Sequence, residues 1–197
     1  MTTEAVRVTP PTRIKLGDDL LLRFLRLSDA RAVAGAVRES LEHLQPWMPW
    51  ADEESTRETF QRQRLRGARH KAAIGDEWQY GLFPTDETSV LGTFGLMARK
   101  WPATMEIGYW VHVDAIGRGY ATRASRALTN AVLALDGITT VCIRCDEVNL
   151  RSAAVPRRLG FTLVRTETRE PQAPAESGQL MTWERKELLP ELLQGSP

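Results

Sequence analysis

The chain has 197 residues, with 26 Lys and Arg against 25 Asp and Glu and a formal charge of +1. This length suits one domain that buries about two thirds of the surface its unfolded form exposes, without disulfide or metal staples. The balanced charge excludes a broad electrostatic footprint for nucleic acid or an anionic membrane, so any phosphate chemistry has to use a local patch.

The opening MTTEAVRVTPPTR has no apolar core of signal-peptide length, and no segment approaches the roughly 20 apolar residues of a bilayer span, which predicts a cytoplasmic protein. Residues 1–13 read as a flexible start. LLLRFLRL (20–27) has the content of a strand, and Ser28 offers an N-cap for a helix to Leu41. In that helix Ala30, Val33, Val37, Leu41 and Leu44 recur at helical spacing. HLQPWMPW interrupts it with two prolines, and a polar, Arg-rich helix follows over 55–70. WQYGLF, SVLGTFGLMAR and MEIGYWVHV then read as three strands, the first pair a hairpin and the last pair linked by WPAT.

From Tyr120 the period changes. Ala121, Ala124, Leu128, Ala131, Val132 and Leu135 line one helix face that Asp136 and Gly137 terminate. TTVCIRCD (139–146) is a strand, and the crossover helix predicts that it runs parallel to MEIGYWVHV. Cys142 and Cys145 are the only cysteines. Residues three apart on a strand point to opposite faces, and no nearby histidine or second pair completes a zinc site, so their CxxC spacing reads as plain strand. Asn149 caps a short helix that Gly160 closes, and FTLVRTET and QLMTWERK are the last strands, joined by the loop EPQAPAESG. Residues 189–197 read as a tail. Pro156 lies past the first turn and cannot bond to the Ser152 carbonyl, which predicts a distortion of the helix near Ser152.

The loop DAIGRGYAT ends a strand and opens a helix. Its amides would face solvent with the positive helix end behind them, Gly117 and Gly119 permit positive φ, and Arg118 adds a charge. This can seat an anion or merely turn a corner. A dinucleotide fingerprint fits poorly, because Thr122 stands at its third glycine and antiparallel strands precede the loop.

EIGYWVHVDAIGRGYAT, then NLRSAAVPRRLGF, with HLQPWMPW upstream, resembles the GCN5-related N-acetyltransferase (GNAT) superfamily, and within it the RimJ/RimL-like group that acetylates protein N-termini. The resemblance spans residues 14–188 and implies a single domain of mixed α/β (α+β) type. Its sheet would have about seven mostly antiparallel strands, about four flanking helices and a splayed parallel strand pair. It also implies that acetyl-CoA (coenzyme A) is the cofactor. Its pyrophosphate would lie on Gly117, Arg118, Gly119, Tyr120, Ala121 and Thr122, with pantetheine along Trp110, Val111, His112 and Val113. Ile116 stands where the family writes Gln or Arg, which leaves binding to backbone amides and Arg118. Arg157 and Arg158 either reach the adenosine phosphate or form a solvated basic face.

Acetyl transfer needs a neutral amine, a polarised carbonyl and a protonated leaving thiol. Glu106 shares a strand face with Gly108, Trp110 and His112, and the resemblance makes it the candidate base and acceptor contact; otherwise it is a surface salt-bridge partner. His112 is a second possible relay. The Val111 N–H is the candidate donor to the thioester oxygen. By the resemblance Ser152 donates to the departing sulfur, and Asn149 lies beside the pantetheine arm while also serving as a cap. Trp47 and Trp50 either wall the acceptor cleft or simply pack under their loop. No metal is expected. The predicted activity is direct attack of an amine in a ternary complex, the acceptor a protein N-terminal α-amine. The alternatives are a small-molecule amine (antibiotic, polyamine or amino acid) and a non-catalytic acetyl-CoA sensor. The predicted partners are an amine-bearing peptide, protein or small molecule, with no nucleic acid and no membrane, and a homodimer through the sheet edge or tail is open.

Overall fold

A computed structural model of the chain describes residues 9–100 and 103–190. The first eight residues, the Trp101-Pro102 half of the WPAT linker and residues 191–197 of the tail lie outside the described part. The described residues form one eight-stranded sheet, ordered β1-β2-β3-β4-β5-β6-β8-β7. Its strands are β1 Arg13–Leu16, β2 Leu20–Phe24, β3 Glu77–Pro84, β4 Gly92–Lys100, β5 Thr104–Val111, β6 Thr140–Asp146, β7 Thr162–Thr168 and β8 Gln179–Arg185. The five helices are α1 Ala30–Glu39, the single turn α2 Leu41–Leu44, α3 Glu58–Ala73, α4 Tyr120–Leu133 and α5 Leu150–Arg158. All pairings are antiparallel except β5 with β6, which are parallel and joined through α4. None of these helices is long and apolar enough to cross a membrane.

One sheet face carries Leu20, Leu22, Tyr80, Phe94, Leu96, Met105, Ile107, Val141 and Ile143. They form the main core with Ala124, Leu128 and Val132 of α4 and Ala153, Val155 and Leu159 of α5. The opposite face is covered only in part. There Phe83 and Trp110 pack with Val33 and Val37 of α1 and with Leu44 and Ala51. Burying a side chain of that size contributes about 1.5–3 kcal/mol, so both faces of the central strands are held and the uncovered stretch between them is a cleft.

Four details correct the sequence reading. A short strand, β1, precedes the predicted first one, bringing the sheet to eight strands. The cap expected at Ser28 is not made. A 3-10 turn over Leu27–Asp29 leads into α1, and the Asp29 carboxylate accepts from the Arg26 N–H at 2.6 Å. The helix expected to reach Leu41 also stops at Glu39, and α2 begins beyond Ser40. At the other end, Leu189, read as tail, is buried on α4. Its N–H donates to Asn130 Oδ1 at 2.7 Å, and its carbonyl accepts from Asn130 Nδ2 at 2.9 Å.

Candidate active site

Between β5 and β6 only Thr104, Met105 and Glu106 are in register with Thr140, Val141 and Cys142. Beyond Glu106 the strands part. The Ala103 carbonyl accepts from the Thr140 N–H on the β6 side, whereas the His112 N–H donates to Leu91 on the β4 side. Strand peptide groups alternate in direction, so those of Ile107, Tyr109 and Val111 turn toward the opening with no strand to pair with. The Val113 N–H is engaged, donating to Ser40 Oγ at 3.1 Å.

The helix after the opening offers a second unsatisfied edge. Gly117 and Gly119 adopt φ of 79° and 73°, and a Cβ added at either would meet nothing within 4 Å. Gly119 is the N-cap of α4 and supplies no side-chain cap, so the first-turn amides from Tyr120 to Thr122 keep their donors. Arg123 fixes this end of α4 by donating from Nη1 to Asp19 Oδ2 at 2.8 Å. Arg118 and Arg158 are exposed, whereas Arg157 lies 5.3 Å from the Trp183 ring.

Across the opening, Asn149 Oδ1 accepts from the Ser152 N–H at 3.1 Å, the cap expected of it. The helix behind it runs unbroken through Pro156, so the expected distortion does not interrupt α5. The reason is a partner from another strand: Tyr109 Oη donates to the Ser152 carbonyl at 3.2 Å, taking the bond that Pro156 cannot make, and lies 3.4 Å from Ser152 Oγ. Burial pushes the Tyr109 phenol well above its ordinary value, which keeps it a donor. Its ring stacks on Phe94, with centroids 5.5 Å apart.

The opening leads into a cleft of about 410 Å³ on the partly covered face. Its floor contains Gly95 and Gly108, directly paired between β4 and β5, and a Cβ on Gly108 would come within 3.2 Å of Met97 Cε. Trp47 and Trp50 line it together with Trp110, whose ring centroid is 6.4 Å from that of Trp50. Trp110 Nε1 is buried without a partner among the described residues.

Glu106 is buried on this face, not solvated, and its Oε2 accepts from Arg99 Nε at 2.7 Å and Arg144 Nε at 2.9 Å. Arg144 lines the cleft. His112 is turned away from Glu106: its Nε2 is 2.9 Å from Glu39 Oε2, and its Nδ1 accepts from the Asp114 N–H. Cys142 and Cys145 are unpaired, and burial pushes their thiols up to about 12 and about 11. At neutral pH both are protonated and weakly nucleophilic. Among the described residues no group of three or more His, Cys, Asp or Glu could hold a metal ion.

Sequence reasoning missed Tyr109, Arg144, Arg64 and Asp146. The Asp146 carboxylate accepts from the N–H groups of Val148, Ser177 and Gly178 and from Ser177 Oγ, which pins the β7–β8 loop at the cleft's edge. An acidic residue ending a strand before a turn was the one available signal.

A parallel pair that parts beside an uncapped glycine-turn helix offers a free strand edge and an anion seat side by side, as a ligand with amides and a phosphate requires. Residues 19–162 match the acetyltransferase (GNAT) domain family. The chain belongs to that family and is an acetyltransferase. A relative from Bacillus subtilis (strain 168), YdaF, carries the name of a ribosomal N-acetyltransferase. It is 27% identical over 152 residues, covering 75% of this chain and 80% of YdaF. Among solved structures, the fold is similar to that of RimL, a ribosomal-protein α-N-acetyltransferase in complex with coenzyme A. The TM-score is 0.81 at 22% identity, over 88% of this chain and 97% of that one. It is equally similar to MccE, a microcin C7 self-immunity acetyltransferase in complex with acetyl-CoA and AMP, with a TM-score of 0.81 at 18% identity, over 90% and 98% of the two chains.

The residues present fit coenzyme A. The uncapped amides of α4 suit a pyrophosphate, and the unpaired edge of β5 suits the amides of pantetheine.

Proposed function

We propose that this protein transfers acetyl from acetyl-CoA to a protein N-terminal α-amine by direct attack in a ternary complex. The observation that carries this reading is the parting of β5 and β6 after Glu106, which opens one route from the α4 amides to a glycine-floored, tryptophan-walled cleft. The cofactor supplies an activated acetyl thioester when bound.

The chain's own groups have separate tasks. Gly117, Arg118, Gly119 and the amides of Tyr120, Ala121 and Thr122 bind the pyrophosphate, and Arg158 stands at the far end of α5 from the Asn149 cap. The free edge of β5 at Tyr109 and Val111 holds the pantetheine arm, the groups of Trp110, His112 and Val113 being turned to β4 or bonded to Ser40, and the Val111 N–H donates to the thioester oxygen as charge develops there. Ile107 and Tyr109 turn their peptide groups to the same side. His112 takes no direct part, since its N–H donates to the Leu91 carbonyl and its ring is tied to Glu39.

Glu106 takes the proton from the attacking amine, directly or through a water. An α-amine titrates near pH 8, so only a modest proton affinity is required. Two arginines bond to its Oε2, leaving Oε1 without a hydrogen bond among the described residues. Ser152, oriented by the Asn149 cap and by Tyr109, delivers a proton to the departing sulfur. Trp47 and Trp50 line the acceptor's approach, and Glu106 stands behind the cleft-lining Arg144. The protonated state of both thiols supports direct attack over an acetyl-cysteine route.

The test is release of free coenzyme A on a panel of N-terminal peptides, polyamines, amino acids and aminoglycosides. Turnover on peptides is the expected result. Turnover confined to small amines would replace the acceptor, and tight acetyl-CoA binding with no turnover on any of them would make the domain a sensor.

A further inference from the structure

Arg64 projects from α3, a helix that buries only Gln61 and Leu65, and its guanidinium lines the cleft 5.6 Å from the Trp50 ring. The other arginines at the cleft have carboxylate partners: Arg144 and Arg99 bond to Glu106, and Arg169 bonds to Glu176 at 2.8 Å. Among the described residues no carboxylate lies within 4.0 Å of Arg64. Its bonds go to two amide oxygens, Nη1 donating to Gln61 Oε1 at 3.2 Å and Nη2 to Gln79 Oε1 at 3.1 Å.

Both amides are themselves fixed. Gln61 Nε2 donates to the Ser55 carbonyl at 2.6 Å, and Gln79 Nε2 donates to Glu77 Oε1 at 2.5 Å. Glu77 is occupied in turn by Lys71 Nζ at 2.6 Å. The result is a half-buried guanidinium held in place by neutral oxygens at the cleft wall, with three of its five N–H donors uncommitted. A cation in that state gains most from an anion brought by a ligand. Burial pulls Arg64 below its ordinary range, with only the field of Glu77 opposing.

Its position sets the ligand's dimensions. Gln79 is paired with Gly95, and Gly95 with Gly108, at the start of the opening. Two strand spacings separate Gln79 from Gly108, about 10 Å. A carboxylate on the carbon that bears the attacking amine is too close to that amine to span the distance. An acidic side chain one or two residues along an extended peptide spans it, at about 3.4 Å of chain per residue plus the side chain. The floor between is kept low by Gly95 and Gly108, with Met97 Cε over both, and a Cβ on Gly95 would come within 2.9 Å of Gln79 Nε2, displacing the amide that holds Arg64.

We propose that Arg64, propped by Gln61 and Gln79, is a specificity-determining residue that binds an acidic side chain at the second or third position of the acceptor peptide. The proposal rests on the peptide-acceptor reading above. The test compares kcat/KM on peptides differing only by Asp against Asn, or Glu against Gln, at those positions, for the parent, Arg64→Met and Arg64→Lys. Calorimetric binding of the same peptides to the protein without acetyl-CoA gives a second readout. The parent is expected to favour the acidic peptides roughly tenfold or more, chiefly through KM and with the same preference in binding. Arg64→Met brings the ratio near one, and Arg64→Lys, which keeps the charge without the planar fork, restores part of it. Equal use of acidic and neutral peptides by the parent, or a preference that survives in Arg64→Met, overturns the proposal. If peptides neither turn over nor bind while small amines do, the peptide reading fails, and the Arg64 proposal fails with it unless a remote carboxylate on the amine gives the same Arg64-dependent preference.

Discussion

The contact between Tyr109 and the Ser152 carbonyl gives a double-mutant test of how α5 tolerates an internal proline. In Tyr109→Phe the ring keeps its stack on Phe94 but the carbonyl loses its donor, while Pro156 still supplies none. An unpaired buried carbonyl costs about 1–3 kcal/mol, and this one is part-buried, so about 1 kcal/mol is expected. Pro156→Ala restores an N–H four residues along the helix from Ser152. In that background Tyr109→Phe should cost little, giving a coupling of about 1 kcal/mol, well above the usual departure from additivity of about 0.3–0.5 kcal/mol for independent sites. Urea denaturation of the four proteins measures it. Equal costs of Tyr109→Phe in the two backgrounds would show that the phenol does not replace the missing helix bond.

Glu106→Gln preserves side-chain shape and should lower kcat about 100-fold while acetyl-CoA binding persists; a parent-like rate and pH profile would remove Glu106 as the base. Arg118→Ala should raise KM for acetyl-CoA roughly fivefold to tenfold, more than any alanine substitution from Val113 to Ile116, because a charge-assisted phosphate contact outweighs apolar contacts there. A smaller effect than Ile116→Ala would show that the entrance binds through its apolar side. The Arg23–Asp29 ion pair, 2.7 Å and with both side chains largely buried, predicts that Asp29→Ala costs about 3 kcal/mol in thermal or urea unfolding. Burial alone would raise the Asp29 carboxyl, but the bonds from Arg23 and the Arg26 N–H outweigh it and hold the carboxyl below its ordinary 3.8. A depressed folded-state value means the stabilisation is complete above about pH 4 and lost as pH falls through the folded value. Asp29→Asn should therefore show a shallower acid limb than the parent, and an identical limb would contradict the assignment.

The elements that sequence made legible are those with local punctuation. Gly119, Asn149 and Gly160 place the ends of α4 and α5 because each terminus needs a residue that accepts positive φ or caps an amide. β1 was not legible, since RIKL is four residues between proline and glycine and gains its stability only by pairing with β2. The break at Ser40 has no local signal; the Ser40 hydroxyl serves the Val113 N–H, 73 positions away. The candidate site divides in the same way. The glycine loop and the Asn149 cap can be found by spacing, whereas Glu106 is singled out only by the family resemblance. The Arg144–Glu106 bond, the Tyr109–Ser152 bond and the placement of Arg64 on Gln79 arise from strand register and helix docking, which no short window of residues contains.

The central claim, direct transfer at the opening between β5 and β6, is tested by intact-mass analysis of the protein and an N-terminal peptide incubated with acetyl-CoA. The account predicts one acetyl group on the peptide α-amine and an unmodified protein whether or not the peptide is present. Accumulation of an acetylated protein when the peptide is omitted, discharged when it is added, would contradict it.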